Sequence, residues 1–385
     1  MLDGTVTRGG RWEGCPIRRC MHHFYYDILT LVRKILSHRS GLMRRRRKIR
    51  ILVQFSIGLL PMLFGVASVQ ADTLEQVREH GAVRCAAGWS AGFSGLDSTG
   101  RPAGFDVDFC RAVAAAVFGK ADAVEVERVD TANKYQALAR GEIDIVFGMA
   151  TWTYHRDVAM GTRFVTPIFF DGQGFAVWSD SPITRLDQAR GAKVCVQKET
   201  TTAANLRDVS RARGLDLQVL EASPNHTRER FVRRECDLLS ADRAELAVQR
   251  ATRTIDPKRV RILDDIVSRE PLGPYVAQGD ERWFSIVRWV IHATQIADAR
   301  GVDAKSLTAV DEKADSELRR LAGKEAGFGQ PLGLSDDWAY QVLTQVGHYG
   351  QIFERNLGTG SPIGLERGVN RSWQNGGLFV PPLLR

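Results

Sequence analysis

A polar run in the first half of the chain has the residue types needed to hold a carboxylate. It follows an apolar stretch typical of a buried strand and contains Thr151, Trp152, Thr153 and Arg156. A guanidinium can grip a carboxylate through two parallel N–H donors, threonine hydroxyls can add hydrogen bonds, and a tryptophan can form an apolar wall. The alternative for Arg156 is a surface ion pair with Asp157.

A second group of candidates lies about fifty to ninety residues later. Thr200 and Thr201 begin a predicted helix, whose unpaired N–H groups attract an anion. Asp242 follows a later predicted strand, where its carboxylate could receive an ammonium group. The alternative for each of these residues is simple N-capping of the helix that it begins.

Taken together, these residues are complementary to a zwitterion. Arg156 and Thr201 would converge on one anionic group and Asp242 would lie across from them, which is the pattern required by a free α-amino acid. Trp89 and Phe93, after the first predicted strand, could form a wall at the side-chain end of the ligand. Their alternative is ordinary core packing.

The order of predicted elements repeats once along the chain. Residues 83–147 and 192–240 each read β-α-β-α-β, which is typical of a parallel sheet flanked by helices. In the usual 2-1-3 strand order, polar residues after the strands meet at one edge of each sheet. Two extended segments with proline and glycine, 165–177 and 268–280, connect the two repeats.

This pattern predicts an α/β fold of two lobes, each a mostly parallel sheet flanked by helices, joined by two hinge strands. Lobe 1 is predicted to contain residues 72–170 and 280–385, and lobe 2 residues 171–279. Such a hinge opens and closes a cleft that can hold a small ligand.

Composition and charge argue against a nucleic-acid partner. The chain has 385 residues, 44% of them hydrophobic and 25% charged, with a net charge of +8. Residues 1–71 account for a net charge of +10 and the remainder for −2, so the basicity belongs to the leader.

The leader has the layout of a secretory signal peptide. Residues 43–71 begin with a run of arginines, continue through an apolar segment and end in small residues, so we expect cleavage after Ala71 and export to the periplasm. The alternative is a membrane anchor. Residues 1–42 are interpreted as a non-native extension with translation starting at Met43, and a metal site at Cys15 and Cys20 is the less favoured interpretation.

Four cysteines follow the expected cleavage point, and an even number in an exported protein indicates disulfides. The 2-1-3 strand order places Cys195 beside Cys236 and the helix that carries Cys110 next to the strand that carries Cys85. We therefore predict the pairs 85–110 and 195–236, each inside one lobe.

Long segments of the chain resemble the periplasmic substrate-binding proteins of ABC uptake systems (solute-binding protein family 3), in particular the general L-amino-acid-binding branch. The resemblance extends from about residue 73 to the C-terminus. Its main segments are GFDVDFCRAVAAAVFG (104–119), TWT-x-x-RD (151–157), DGQGF (171–175), KVCVQ-x-x-TTT (193–202) and GHYGQIFERNLG (347–358).

The resemblance implies a class II periplasmic-binding-protein fold, no catalysis, and delivery of a captured amino acid to membrane permease subunits. By motif position, Arg156 and Thr201 would take the α-carboxylate, Thr151 would help to hold the main-chain end, and Asp242 would take the α-ammonium. The chain departs from the family at 149–150, where relatives usually carry polar residues, and at Glu199, where they usually carry glycine.

Two other functions compete with amino-acid uptake. The same fold hosts periplasmic dehydratases, for which Glu199 or Asp242 could act as the acid or base. A sensor would present the closed form to a receptor instead of a permease. We expect a monomer that needs neither cofactor nor metal and that does not bind nucleic acid.

Overall fold

A computed structural model of the chain describes residues 72–88, 90–129, 133–252 and 255–385. The predictions of an extension at 1–42 and of a signal peptide at 43–71 lie outside these described residues. These described residues form one compact unit. Among the described residues, no helix combines the length and the apolar character that a membrane crossing requires.

Strands and helices alternate through most of the described chain. The helices are α1 (Thr73–His80), α2 (Phe105–Phe118), α3 (Lys134–Ala139), α4 (Tyr154–Ala159), α5 (Thr201–Ala212), α6 (Pro224–Val232), α7 (Arg243–Ala251), α8 (Glu281–Arg300), α9 (Ala304–Thr308), α10 (Ser316–Leu321), α11 (Trp338–Gln345) and α12 (Tyr349–Asn356). The strands are β1 (Val83–Ala87), β2 (Gly95–Leu96), β3 (Pro102–Ala103), β4 (Val124–Arg128), β5 (Ile145–Val146), β6 (Thr162–Phe164), β7 (Phe169–Asp171), β8 (Gln173–Trp178), β9 (Lys193–Gln197), β10 (Gln218–Ala222), β11 (Leu238–Asp242), β12 (Val260–Ile262), β13 (Glu270–Leu272) and β14 (Tyr275–Ala277).

The predicted 2-1-3 order is present in both lobes. The first five-stranded sheet has the order β4-β1-β5-β14-β6 and the second has β10-β9-β11-β8-β12. The 2-1-3 strands pair in parallel in both sheets. The remaining strands, β14 and β6 in one sheet and β8 and β12 in the other, pair antiparallel. The predicted α/β fold class is confirmed, and these antiparallel additions complete each sheet.

Two short strands form the connection between the lobes. β7 and β13 pair antiparallel, with Asp171 opposite Glu270. The predicted end of lobe 2 at residue 279 lies several residues too late, because β14 already pairs with β5 and β6 in the first sheet. The chain therefore returns to lobe 1 directly after β13.

The C-terminal helices complete the core of lobe 1. The long helix α8 and the helix α11 bring Trp283 and Trp338 into the largest hydrophobic cluster, where each indole is about 1% exposed. The Nε1 of Trp283 donates a hydrogen bond to the carbonyl of Asp144 at 3.0 Å, next to β5. This close packing holds the strands of lobe 1 in place and so positions the residues that follow them.

Both predicted disulfides are present. Cys85 bonds to Cys110 with a Cα–Cα distance of 6.4 Å, and Cys195 bonds to Cys236 with a Cα–Cα distance of 5.7 Å. Each bond starts from a central strand, β1 or β9, and stays within one lobe; Cys110 lies on α2 and Cys236 in the loop before β11. The bonds restrict the unfolded chain and leave the hinge between the lobes unconstrained.

Candidate functional site

A cavity of about 560 Å³ lies between the two lobes. Its lining includes Gly88 after β1, Gly148 after β5, Gln197 at the end of β9 and Asp242 at the end of β11. These positions are the carboxyl ends of the parallel strands in both sheets, where ligands bind in α/β folds. Five predicted site residues line this cavity: Thr151, Arg156, Thr200, Thr201 and Asp242.

The guanidinium of Arg156 is held by its own lobe. Its Nη1 donates to the carbonyl of Thr151 at 3.0 Å, and its Cζ lies 5.1 Å from the centre of the Tyr135 ring. Asp157 accepts hydrogen bonds from Trp152 Nε1 at 3.1 Å and from the N–H of Phe164 at 2.7 Å. Within the described chain no ion pair joins Arg156 to Asp157, so Arg156 keeps donors for a carboxylate in the cavity.

The start of α5 provides hydroxyl and N–H groups from lobe 2. Thr200 is committed to the helix cap, because its Oγ1 accepts from the N–H of Ala203 at 3.2 Å and donates to the carbonyl of Gln197 at 2.7 Å. Thr201 is the residue that faces lobe 1, where its Oγ1 lies 3.4 Å from the Oγ1 of Thr151. The two threonines therefore meet across the cleft, beside Arg156.

Asp242 occupies the N-cap position of α7, but its side chain makes no capping hydrogen bond. Its Oδ1 is buried and has no hydrogen-bond partner among the described residues. Burial raises the pKa of Asp242 well above its ordinary value, and the nearby carboxylates of Asp171, Glu270 and Glu245 raise it further, while Arg156 opposes the rise. A carboxylate that is neither capping nor paired is suited to receive a cation from a ligand.

Several predicted wall residues lie elsewhere. Trp152 is 50% exposed and stacks on Phe164 with ring centres 4.7 Å apart, outside the cavity lining. Thr153 caps α4 by accepting from the N–H of Arg156 at 3.3 Å and is also absent from the lining. Phe93 does line the cavity. The prediction for Trp89 falls outside the described residues.

The physical reason for the Trp152 error is the alternation of side chains in extended backbone. Thr151 forms an isolated bridge with Leu272 and is 5% exposed, with its hydroxyl in the cavity. The next side chain points to the opposite face, where Phe164 covers it. Neighbouring residues in extended backbone, such as Thr151 and Trp152, therefore do not both face the cavity.

Two buried charged residues of lobe 1 that line the cavity were missed by sequence reasoning. Asp106, at the start of α2, accepts from the N–H of Gly148 at 2.9 Å and of Met149 at 3.4 Å, and burial raises its pKa to about 6. Lys134 begins α3, is 4% exposed, and donates from Nζ to the carbonyl of Gly148 at 3.1 Å. Both lie on helices, so the search for residues that follow strands did not find them.

A direct hydrogen bond between two residues that line the cavity joins the two lobes. The hydroxyl of Ser90, in lobe 1, donates to Oε2 of Glu245 on α7, and Nε2 of Gln249 donates to the other carboxylate oxygen at 2.9 Å. Burial raises the pKa of Glu245, while the bonds from Ser90 and Gln249 lower it. The lobes of this structure are therefore in contact around the cavity.

Comparison with known proteins identifies the class of this fold and site. Residues 84–321 match the family model for bacterial extracellular solute-binding proteins, family 3. The chain belongs to this family. The predicted family, the two-lobed fold and the solute-binding role are thereby confirmed.

Relatives of this solute-binding protein match it over nearly their whole length. It is 37% identical over 338 residues to the general L-amino acid-binding periplasmic protein AapJ of Rhizobium johnstonii, which covers 86% of this chain and 98% of the relative. It is 36% identical over 333 residues to the glutamate/glutamine/aspartate/asparagine-binding protein BztA of Rhodobacter capsulatus, with the same two shares.

A solved structure gives the same answer for the fold. The ABC transporter/periplasmic binding protein from Brucella ovis with glutathione bound is 35% identical, covers 82% of this chain and all of its own, and superimposes with a TM-score of 0.79. A cysteine-binding protein from Campylobacter jejuni, 21% identical with a TM-score of 0.52, shares the fold.

Both departures from the family pattern have unusual backbone conformations in this solute-binding protein. Met149 has φ of 48° and Glu199 has φ of 60°, in the left-handed region that favours glycine. Both residues line the cavity, one from each lobe. Strained residues of this kind persist where the surrounding structure holds them, often at binding sites.

We expect the substitution Glu199→Gly to raise the free energy of unfolding by about 0.5–1 kcal/mol. Relief of the left-handed strain is worth roughly 1–2 kcal/mol, and the greater freedom of glycine in the unfolded chain offsets part of it. Thermal unfolding of both proteins measures the difference. Glu199→Ala, which removes the 3.6 Å contact between Lys198 Nζ and the carboxylate but keeps the strain, should give no such gain; a lower melting temperature for Glu199→Gly would contradict the assignment of strain.

Proposed function

We propose that this protein captures a free L-amino acid in the periplasm and delivers it to the membrane subunits of an ABC transporter. The observation that carries the proposal is a single cavity lined by Arg156, Thr201 and Asp242, in which Oδ1 of Asp242 has no hydrogen-bond partner among the described residues. A zwitterion supplies an anion for Arg156 and a cation for Asp242, so each of its charges meets an opposite charge when it is buried.

The names of the relatives support the amino-acid class. AapJ is described as a general L-amino acid-binding protein and BztA as a binder of glutamate, glutamine, aspartate and asparagine. Both align over about 98% of their length, so the comparison includes both lobes. We propose the same class of ligand here, bound through Arg156, Thr151 and Thr201 at the carboxylate and Asp242 at the ammonium.

A second candidate ligand is a small peptide that contains an amino-acid end, such as glutathione. The Brucella relative binds glutathione in its solved structure. A cavity of about 560 Å³ falls inside the range of about 300–1,000 Å³ that is usual for sites holding drug-sized molecules. The residues proposed to hold the carboxylate and the ammonium of an amino acid, here called the main-chain clamp (Thr151, Arg156, Thr201 and Asp242), would also hold the glutamyl end of such a peptide.

We propose binding without catalysis. Asp242 is the carboxylate that the ligand ammonium requires, so it is not available as an acid or base. Glu199 is exposed and lies beside Lys198, where solvent weakens any role in proton transfer. Export with cleavage after Ala71 would place the two disulfides in an oxidising compartment, where such bonds persist.

A thermal-shift screen of residues 72–385 against the twenty L-amino acids and glutathione tests the proposal. A ligand that binds only the native state raises the melting temperature. At a concentration of a hundred times its Kd, such a ligand adds about 2.7 kcal/mol to the free energy of unfolding. We expect shifts with at least one L-amino acid, and none with its 2-oxo acid or its decarboxylated amine, each of which lacks one pole. Equal shifts with either analogue would reject the two-pole site, and a shift with glutathione alone would select the second candidate.

A further inference from the structure

Lys134 is a buried cation that the binding of a zwitterion does not use. It lines the cavity, is 4% exposed, and lies at the start of α3. The Nζ donates to the carbonyl of Gly148 at 3.1 Å and lies 5.4 Å from the centre of the Tyr135 ring. In the part of the chain that the structure describes, that carbonyl is the one hydrogen-bond acceptor of this ammonium.

The charge of Lys134 is incompletely matched. An ammonium carries three donors, and a buried charge is costly unless it is paired and hydrogen-bonded. The neighbouring carboxylate of Asp106 already accepts from the N–H groups of Gly148 and Met149. Burial and the nearby guanidinium of Arg156 together lower the pKa of Lys134 to about 7, although Asp106 and Asp242 oppose this change.

The location of Lys134 in the same cavity as the main-chain clamp indicates which part of a bound amino acid could contact its Nζ. Lys134 lines the same cavity as Arg156 and Asp242, which would hold the two poles of the amino acid. A ligand group that contacts Nζ would then belong to the side chain, as the terminal oxygens of four- and five-carbon amino acids do. A carboxylate at that point would form a charge-assisted hydrogen bond with Nζ.

We propose that Lys134 determines specificity by binding the side-chain carboxylate of an acidic amino acid, with the corresponding amides bound less tightly through their carbonyl oxygen. The inference rests on the proposed function, because it assigns the side chain of the ligand whose poles Arg156 and Asp242 hold. Cationic side chains are disfavoured at this position by repulsion from Nζ.

Calorimetric titration of the wild type and of Lys134→Met with L-glutamate, L-glutamine and L-leucine tests the inference. Methionine keeps the length and apolar body of the side chain and removes its charge. We expect the wild type to prefer glutamate, and Lys134→Met to weaken glutamate at least 30-fold while changing leucine by less than threefold. Lys134→Arg should recover part of the glutamate affinity, and the exposed Lys120→Met should leave all three unchanged.

The possible failures are distinguishable. If no amino acid binds the wild type, the proposed function fails. If the wild type binds leucine but not glutamate, or if Lys134→Met weakens all ligands equally, amino-acid binding stands and the side-chain role of Lys134 is overturned. Should Lys134→Met not fold by circular dichroism, the ratio of glutamate to leucine affinity in Lys134→Arg, which we expect to fall, decides the matter, and an unchanged ratio overturns the inference.

Discussion

Asp242→Asn should raise the Kd for every amino-acid ligand by two to four orders of magnitude. The substitution keeps the shape of the side chain and removes the charge that would face the ligand ammonium. Loss of one partner from a buried ion pair costs about 3–5 kcal/mol, because the other charge stays buried without compensation. Isothermal titration calorimetry with the ligand found in the thermal-shift screen measures the change.

The same carboxylate gives this prediction a dependence on pH. The pKa of Asp242 is raised by burial and by the carboxylates around it, so the group holds its proton to a higher pH than an ordinary aspartate. An ammonium requires the ionised form, and binding must therefore release a proton wherever Asp242 is still protonated. For leucine, whose side chain carries no charge, the wild-type affinity should fall as the pH is lowered. The fall should be smaller for Asp242→Asn, in which only the other titrating groups of the cavity, such as Asp106 and Lys134, remain.

A matched control is available on the exposed surface. Asp216→Asn removes a carboxylate that pairs with Arg190 at 3.1 Å, and it should leave the affinity within twofold of the wild type. Wild-type affinity in Asp242→Asn, with an intact circular dichroism spectrum, would remove Asp242 from the binding site.

Arg156→Met should raise the Kd by about a thousandfold or more. Methionine retains an apolar side chain over the ring of Tyr135, whereas the guanidinium that would grip the α-carboxylate is lost. The expected cost of about 4 kcal/mol is the penalty for burying a carboxylate without its cation. Calorimetry gives the affinity, and thermal unfolding shows how much of the change comes from loss of the bond to the Thr151 carbonyl.

Arg156→Lys separates charge from geometry. Lysine keeps one positive charge but cannot form two parallel hydrogen bonds, so we expect an intermediate loss of roughly 10- to 100-fold. A Kd for Arg156→Met within tenfold of the wild type would show that the α-carboxylate is held elsewhere, and equal losses in Arg156→Met and Arg156→Lys would show that the fork is essential.

The sequence predicted those parts of the site that follow strands. Thr151, Arg156, Thr201 and Asp242 come directly after buried strands or at the start of the next helix, and parallel strands bring such positions to one edge. The 2-1-3 order predicted the bond between Cys195 and Cys236, and the packing of α2 against β1 predicted the bond between Cys85 and Cys110. These features depend on local pattern and on a small set of allowed topologies.

The parts that could not be predicted depend on side-chain direction and on packing between distant segments. Lys134 and Glu245 lie on helices whose sequence gives no sign that one residue faces a cavity. The bond between Ser90 and Glu245 joins positions 155 residues apart. Trp152 was predicted to face the cavity but lies outside its lining. In extended backbone, neighbouring side chains point to opposite faces, so a shift of one residue is enough to move a side chain out of the cavity.

The contacts of Ser90 with Glu245 and of Thr151 with Thr201 join protein groups of opposite lobes. Part of the free energy of the closed form therefore comes from bonds within the protein itself, in addition to those that a solute would make. Preorganisation of this kind strengthens the binding of a solute, because the apparent Kd falls as the fraction of protein in the binding-competent form grows.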